Sequence, residues 1–409
     1  MLKGGGNVRP IPKKKLLFCS YSSYLDHCSG ASLATRDLLE LLAKNGWECS
    51  IFSGPNLDDR TNLEDAFRKE NVPFQFRPGS VNGQDCTLYH AALNGVPFHG
   101  FVPTPTRSER EPTDKEAVCF LHLLDSMLQR FRPGLLLTYG SSRITRQIVD
   151  HGRQAGAKAV FALHNAEYTE KENFEKADAV FVPSHATRKH YEAKFGISAT
   201  AIAGPWNPER FLCADVKGEY VTFVNPQPAK GAFWVARMAH EMCQQRPDIP
   251  FLIVDSRGKA EWLAKSSLDL SGLTNLKRMF NTADPRKFYQ ISRILLAPSL
   301  WEDAHPRVAV EAMMNGIPVL ASRRGGLPEI LKDAGFLFDI PAPYDARSLQ
   351  TPTADEVRPW VQTIVRLWDD KVFFDQESAR CREAATVWQP ANVFAQFDSF
   401  FSELLKGTS

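Results

Sequence analysis

Acidic side chains flank the start of a predicted helix in the second half of the chain. Glu302 and Asp303 follow an apolar stretch that predicts a strand, and Glu311 comes eight positions after Asp303. Pro306 lies between them and suits the first position of a helix, where a missing N–H costs nothing. A helix start presents unpaired N–H groups to an anion, and carboxylates accept hydrogen bonds from sugar hydroxyls. The spacing therefore indicates a site for an anionic, hydroxyl-rich ligand such as a nucleotide sugar.

Glycines mark the ends of the neighbouring elements. Gly316 predicts a left-handed stop after this helix, and Gly325-Gly326 predict a tight loop after the following strand. Strands that alternate with helices form parallel sheets, and open sheets of this kind bind ligands at the carboxyl ends of their strands. The acidic residues are therefore expected at such an edge.

A second segment combines a strand, a Pro-rich turn and a cation. The strand at 221–224 leads through Asn225 and two prolines to Lys230-Gly231, which are predicted to open a helix. The helix dipole disfavours a cation at this end unless an anion is bound. Lys230 is therefore predicted to contact a phosphate.

These two segments resemble the retaining glycosyltransferases of family four, which have the GT-B architecture. The likeness extends from Leu16 to about Phe397 and is strongest in the second half of the chain. It implies that Asp303, or Glu302 if the loop is longer, holds hydroxyls of the donor sugar and that Glu311 holds the ribose. It also implies that Lys230 contacts the donor diphosphate. This chain has Asn225 where the family usually has Arg, and Arg257 and Arg307 are candidates to replace that cation.

The resemblance implies further contacts from the first half of the chain. Gly30 corresponds to a loop that faces the diphosphate, and His164, at a predicted strand end, corresponds to a His that contacts the donor sugar. The implied site then has catalytic residues at His164, Lys230 and Asp303, and donor contacts at Gly30, Asn225, Lys230, Glu302, Asp303, His305, Glu311, Gly325 and Gly326. No metal ligands are implied.

The hydrophobic pattern predicts two doubly wound, Rossmann-like α/β domains, and the resemblance implies that they face a central cleft, as in GT-B. Residues 55–115 are less regular, and variable loops and short strands facing the acceptor are expected there. Strands are expected at 16–19, 47–52, 135–138, 159–163, 177–182, 220–224, 251–254, 276–279, 294–297 and 318–321, and helices at 33–44, 116–131, 143–154, 354–368, 375–386 and 391–405. The predicted division is a mobile tail (1–12), a first domain (13–204), a linker (205–218), a second domain (219–385) and a terminal helix (386–409). The resemblance implies that the first domain is the acceptor side, that the second is the donor side and that the terminal helix crosses back to the first domain.

Composition excludes several other classes of protein. The 409 residues carry a net charge of +2, which gives no general attraction to nucleic acid. The eight cysteines form no C-x-x-C pair, so neither a zinc site nor a disulfide framework is indicated. No Asp-x-Asp triplet, Walker loop, G-x-G-x-x-G or H-E-x-x-H sequence occurs. No signal peptide or spanning segment is predicted, and a cytoplasmic protein is expected; the lysines at 13–15 permit only a weak peripheral contact with the inner membrane face.

The resemblance implies transfer of a sugar from a UDP- or GDP-linked donor, with retention and without a metal or other cofactor. The acceptor would be a glycan, a lipid-linked molecule or a small molecule. Two alternatives stay open. One is a GT-B nucleotide-sugar epimerase. The other is a catalytically weakened sugar-nucleotide-binding protein, which Asn225 in place of Arg suggests.

Overall fold

The structure, a computed structural model, describes residues 14–27, 29–57, 61–105 and 111–407. The tail predicted at residues 1–12 lies outside the described residues. Within the described part, two β-sheets follow one another along the chain and helices cover them. The fold class is the expected GT-B arrangement of two Rossmann-like α/β units.

The first sheet runs through the first half of the chain. Its strands are β1 (Lys15–Ser22), β2 (Glu48–Asn56), β3 (Phe74–Val81), β4 (Gln84–Leu93), β5 (Val96–Pro103), β6 (Leu135–Thr138), β7 (Lys158–Ala162), β8 (Ala179–Val182) and β9 (Thr200–Ala201). In the described residues their order is β3-β4-β5-β2-β1-β6-β7-β8-β9, and neighbours from β5 to β9 run parallel. The apolar run of β1 is fully buried, as expected for a parallel strand covered on both faces.

The segment 74–103 corrects the expectation of variable loops and short strands. It forms three strands of eight to ten residues, of which β3 and β4 pair antiparallel, as do β4 and β5. Asn82-Gly83 and Asn94-Gly95 connect them, and all four residues have positive φ, from 48° to 84°. Asn-Gly pairs favour the two-residue turns of β-hairpins. The sequence therefore contained the hairpin signal, but Pro and Arg in the flanking strands obscured it.

The second sheet is wholly parallel in the described residues. Its strands are β10 (Tyr220–Val224), β11 (Phe251–Val254), β12 (Leu276–Met279), β13 (Ser292–Ala297), β14 (Val319–Ser322) and β15 (Phe336–Phe338). Their order, β12-β11-β10-β13-β14-β15, is that of a dinucleotide-binding Rossmann domain. The strand order reverses between β10 and β13, which is where such sheets bind ligands.

Apolar cores cover both faces of this second sheet. Alternate side chains of β13 enter different cores: Ile294 and Leu296 join one core, and Leu295 and Ala297 join the other. Successive side chains of a strand point to opposite faces, so a continuous apolar run is what a doubly covered strand requires.

Helices connect the strands and close the chain. They are α1 (Gly30–Lys44), α2 (Leu63–Lys69), α3 (Asp114–Phe131), α4 (Arg143–Gln154), α5 (His185–Phe195), α6 (Ala232–Gln245), α7 (Arg286–Tyr289), α8 (Arg307–Met314), α9 (Leu327–Leu331), α10 (Ala354–Asp369), α11 (Lys371–Ala384) and α12 (Pro390–Lys406). Capping boxes start α3 and α10. The hydroxyls of Thr113 and Thr353 accept from the third helical N–H, and the carboxylates of Glu116 and Glu356 accept from the N–H groups of these two threonines.

The last helix, α12, crosses back to the first sheet, as expected. Phe397 packs against Phe181 at 5.4 Å between ring centroids, and Phe401 packs against Trp47 at 5.7 Å. The Asp398 carboxylate accepts from Trp47 Nε1 at 2.7 Å and pairs with Lys14 at 2.6 Å. The apolar stripe of α12 is therefore part of the core of the first half.

Candidate functional site

A cleft of about 1060 Å³ lies between the carboxyl ends of the two sheets. On the first sheet it is lined where the strand order reverses between β1 and β6, by Ser22 and Tyr139. On the second sheet it is lined at the corresponding place between β10 and β13, by Asn225 and Ser299. The two positions where Rossmann-like sheets bind ligands thus face one another across a single cleft. The volume slightly exceeds the upper end of the usual range for small-molecule sites, about 1,000 Å³.

We call the side of the cleft at the first sheet the first wall and the side at the second sheet the second wall. Lys230 and Asp303 form an ion pair on the second wall. A 3₁₀ turn (Pro228–Lys230) follows β10, and Gly231 then adopts φ +88°. A Cβ at Gly231 would lie 2.1 Å from Pro298 O, so only glycine lets this turn approach the end of β13. The free oxygen of Asp303 accepts from Ser299 Oγ at 2.7 Å. The cation and carboxylate are therefore fixed together at the strand ends.

Glu302 points away from this cleft. Its carboxylate accepts from Gly325 N at 2.6 Å and, among the described residues, it does not line the cleft. A Cβ at Gly325 would lie 2.3 Å from Asp303 O, and one at Gly326 would lie 2.2 Å from Ala304 O. The glycine pair therefore packs against the backbone that carries Asp303, outside the described lining of the cleft. The structure brings Asp303 into the cleft and leaves Glu302, Gly325 and Gly326 behind it.

Asn225 lines the cleft but its side chain is bonded within the protein. It has φ +65°, and its Oδ1 accepts from Gly258 N at 2.7 Å and from Gln227 Nε2 at 3.2 Å. This bond holds the loop after β11, which places exposed Arg257 on the wall of the cleft. Both arginines considered as replacements for a cation at 225 line the cleft, and Arg257 is the more exposed of the two.

The other arginine, Arg307, is engaged with two carboxylates. Its Nε donates to Glu311 Oε1 at 3.1 Å, and its Nη2 donates to Asp37 Oδ2 at 2.7 Å. The second oxygen of Glu311 accepts from Tyr289 OH at 3.0 Å. Burial raises the pKa of Glu311 despite these donors. Burial alone would lower the pKa of Arg307, but Asp37 and Glu311 raise it.

His164 lines the cleft from the first half of the chain. Its ring lies edge-on to Tyr139 at 5.3 Å between centroids. Its Nε2 is buried and has no hydrogen-bond partner among the described residues. Burial lowers the pKa of His164 to about 4, so the ring is neutral at physiological pH. A neutral imidazole with an unsatisfied nitrogen can exchange one hydrogen bond with a bound ligand.

His305 and Pro306 also line the cleft. His305 packs on Trp206 at 5.2 Å and on Trp388 at 5.9 Å, and burial lowers its pKa to about 3. Its Nδ1 has no hydrogen-bond partner in the described part of the chain. Pro306 precedes α8 as its cap and is not the first helical residue, which corrects the expectation by one position.

Gly30 is the first residue of α1 and lines the first wall. A Cβ there would meet open space, so the backbone does not require glycine at this position. Ser29 caps the helix, and Ser32 Oγ lies 2.9 Å from Tyr139 OH. The lining that comes from described residues of the first half contains the acids Asp26, Glu111 and Glu167 but no Lys or Arg.

Glu329 caps a helix in the other half of the chain. It lies in the first turn of α9, but its carboxylate accepts from His185 N at 2.8 Å and from Ala186 N at the start of α5. These are two of the N–H groups that a helix start leaves unpaired. The contact joins residues 144 positions apart, and no local pattern predicts it.

Replacing Glu329 by glutamine should lower the free energy of unfolding by about 1 kcal/mol, because an amide interacts less favourably than a carboxylate with the start of a helix. Urea unfolding at low salt would measure the change. Glu383→Gln, on the exposed face of α11, is the matched control and should change stability little. Equal unfolding midpoints for the two variants would contradict the capping role.

The region that provides most of the second wall of the cleft matches a known family. Residues 215–349 match the family described as glycosyl transferases group 1. These residues are a group 1 glycosyl transferase domain. The group 1 domain contains Asn225, Lys230, Arg257, Asp303 and Glu311.

Three similar proteins share between 14% and 25% identity with this chain. The chain is 25% identical to the lipopolysaccharide 1,2-N-acetylglucosaminetransferase of Salmonella typhimurium, over 53% of this chain and 61% of that protein. Among solved structures, Anabaena Alr3699/HepE in complex with UDP and glucose has a TM-score of 0.65 at 14% identity, with 95% of this chain and 99% of that chain covered. Sucrose-phosphate synthase from Thermosynechococcus elongatus has a TM-score of 0.64 at 17% identity, with 96% and 99% covered. These likenesses show that the GT-B fold extends beyond the group 1 domain.

Two features are absent from the described residues. No helix among them is both long and apolar enough to cross a membrane. No group of three or more His, Cys, Asp or Glu side chains in the same residues is placed to hold a metal ion.

Proposed function

We propose that this chain is a retaining glycosyltransferase that moves a sugar from a nucleotide sugar to an acceptor hydroxyl. One observation carries the proposal: the group 1 domain places Lys230, Asp303 and Glu311 along one wall of a cleft between two Rossmann-like sheets. A cation, a partly exposed carboxylate and a buried carboxylate on one wall suit the diphosphate, the sugar and the ribose of one ligand.

The donor diphosphate would lie between Lys230 and Arg257. Both side chains line the cleft, and both belong to loops at the carboxyl ends of neighbouring strands, β10 and β11. Lys230 provides a compact charge, and Arg257 provides the planar donor set that suits a phosphate. Two cations near the departing diphosphate would stabilise its developing charge. We therefore propose that transfer requires no resident metal.

The sugar would be held by Asp303 and His164. Asp303 accepts from sugar hydroxyls while Ser299 keeps it oriented, and the neutral His164 ring exchanges one hydrogen bond from the opposite wall. The acceptor hydroxyl would attack the anomeric carbon on the face from which the phosphate leaves. The C1–O bond to the β-phosphate breaks, a new C1–O bond forms, and the hydroxyl proton passes to the departing phosphate oxygen. This route retains the anomeric configuration.

The acceptor would bind on the first wall. The described lining there offers Ser22, Ser141, Ser142 and Asn165 together with carboxylates, which suits a hydroxyl-rich acceptor. The Salmonella relative is named as an N-acetylglucosaminetransferase, and the Anabaena neighbour was solved with UDP and glucose. UDP-sugars are therefore the first donors to test. In this proposal residues 13–204 form the acceptor side, 205–218 the linker, 219–385 the donor side and 386–409 the crossing helix.

A thermal-shift screen with UDP-glucose, UDP-N-acetylglucosamine, GDP-mannose and ADP-glucose tests the proposal, followed by transfer assays with and without chelator. One donor should raise the melting temperature, and the product should keep the donor's anomeric configuration by NMR. Conversion of the donor without an acceptor would indicate an epimerase instead. Binding without turnover across an acceptor panel would indicate a sugar-nucleotide-binding protein, in keeping with Asn225. Binding of none of the donors would refute the proposal.

A further inference from the structure

Two acidic residues of α1 form ion pairs with arginines from later parts of the chain. Asp37 and Glu40 have side chains that are only 1% and 2% exposed. Arg210, which follows the first sheet, pairs with Glu40 and lies 3.4 Å from Asp37. Arg307, from α8 of the group 1 domain, donates to the other oxygen of Asp37 at 2.7 Å. A buried acidic pair of the first half thus holds two arginines that come later in the chain.

Arg307 connects Asp37 to Glu311, which lines the cleft. Its guanidinium bridges Asp37 and Glu311, with 2.7 Å to the first and 3.1 Å to the second. The guanidinium is planar and rigid, so a change at one end of the bridge reorients the nitrogen at the other. Tyr289 fixes only the second oxygen of Glu311, at 3.0 Å. The orientation of Glu311 therefore depends on a residue of the opposite half.

We propose that Asp37 is a positioning residue of the donor site, which acts through Arg307 to set the orientation of the Glu311 carboxylate. The proposal rests on the proposed function, because it requires that Glu311 contact the donor. Asp37 itself does not line the cleft in the described residues, whereas Arg307 and Glu311 do. The donor site is thus complete only when the two halves are in contact, and donor binding must strengthen that contact to the same degree.

The Asp37→Asn variant tests the proposal, with Asp65→Asn as the matched control. Asp65 also pairs with an arginine of the first half, Arg68 at 3.3 Å, but at the exposed surface of α2. The measurement is calorimetric titration with whichever of UDP-glucose, UDP-N-acetylglucosamine, GDP-mannose and ADP-glucose binds the unmodified chain best. Asp37→Asn should weaken donor binding at least 10-fold and raise the donor KM, with the acceptor KM unchanged. Asp65→Asn should leave the donor affinity, the donor KM and the acceptor KM unchanged.

A second pair of variants separates positioning from a merely structural role. In an Arg307→Leu background the bridge is already absent, so adding Asp37→Asn should weaken donor binding no further. A structural role would instead lower stability in both backgrounds and leave the affinity of the folded protein unchanged. If Asp37→Asn does not fold, Arg307→Lys replaces it, because lysine keeps the charge but cannot bridge two carboxylates; it should also weaken donor binding about 10-fold.

The outcomes differ for the two proposals. Unaltered donor affinity in Asp37→Asn, or in Arg307→Lys where that variant is used, would overturn the positioning role while the proposed function stands. Equal further weakening by Asp37→Asn in the Arg307→Leu background would also overturn it. Absence of donor binding in the unmodified chain would overturn both.

Discussion

Replacing Glu311 by alanine should abolish the rise in melting temperature that a nucleotide-sugar donor produces, and replacing Lys230 by alanine should do the same. The first change removes a buried carboxylate, only 7% exposed, that lines the cleft, and the second removes a cation proposed to bind the diphosphate. At a donor concentration 100-fold above Kd, binding stabilises the native state by about 2.7 kcal/mol, and this whole increment would be lost. Differential scanning fluorimetry with and without donor measures it.

Glu302→Ala is the matched control for this experiment. Glu302 is adjacent to Asp303 in sequence, but its carboxylate is bonded to Gly325 N on the far side of the loop. The donor shift should therefore survive in Glu302→Ala. Because Glu311→Ala also removes an acceptor from Arg307 Nε and from Tyr289 OH, Glu311→Gln should be compared with it. The amide keeps one acceptor oxygen but lacks the charge. An undiminished shift in Glu311→Gln and Lys230→Ala would show that the donor binds elsewhere.

The protein should lose stability steeply as the pH falls from about 6.5 towards 4. Burial lowers the pKa of His164 to about 4 and of His305 to about 3, and it lowers the pKa of the more accessible His99 to about 4. Below an unfolded-state pKa of about 6.5 the unfolded chain binds protons that the native state does not, so each of these histidines costs up to about 1.4 kcal/mol of stability per pH unit. The raised pKa of Glu311 has the opposite sign and offsets part of this loss.

Urea unfolding at pH 8, 6.5 and 5 would measure this dependence. The free energy of unfolding should change little from pH 8 to 6.5 on account of these groups and then fall. His164→Asn should reduce the slope below pH 6.5. The control is His122→Asn, which alters an exposed histidine of α3 and should leave the slope unchanged. Stability that stays constant down to pH 5 would mean that the buried histidines do take up protons in the native state.

Regular elements were predictable where the hydrophobic pattern is strong. The strands β6, β10, β11 and β12 and the helix α4 have the bounds expected from sequence. Each strand is a short apolar run or begins next to a turn signal, and tertiary packing agrees with that local preference. The hairpins at 74–103 were missed because their strands include polar residues, Pro and Gly, although two Asn-Gly pairs marked the turns. Helix α5 was missed because it is mostly polar, and packing of Tyr191 and a cap at Ser184 support it.

The candidate site was predictable in its residue types but not in its orientations. The spacing of Asp303 and Glu311 indicated both acids, whose roles stay predictions. Which of Glu302 and Asp303 faces the cleft depends on the backbone of a turn that packs against two glycines, and a sequence pattern does not contain that packing. The bridge from Asp37 through Arg307 joins residues 270 positions apart. A contact of that kind follows from the docking of two domains, for which a single sequence carries no local signal.

The crossing helix α12 has a consequence for how the chain is made. Its side chains Val393, Phe397, Phe401 and Leu405 are buried in the same core as β1, the first strand. Domains generally fold in order as they leave the ribosome. Here the first half cannot complete its core until the residues of α12 have been synthesised, while the group 1 domain can already assemble. During translation we therefore expect the first half to expose an apolar groove until α12 has been synthesised. We expect chaperones to assist this half more than the group 1 domain.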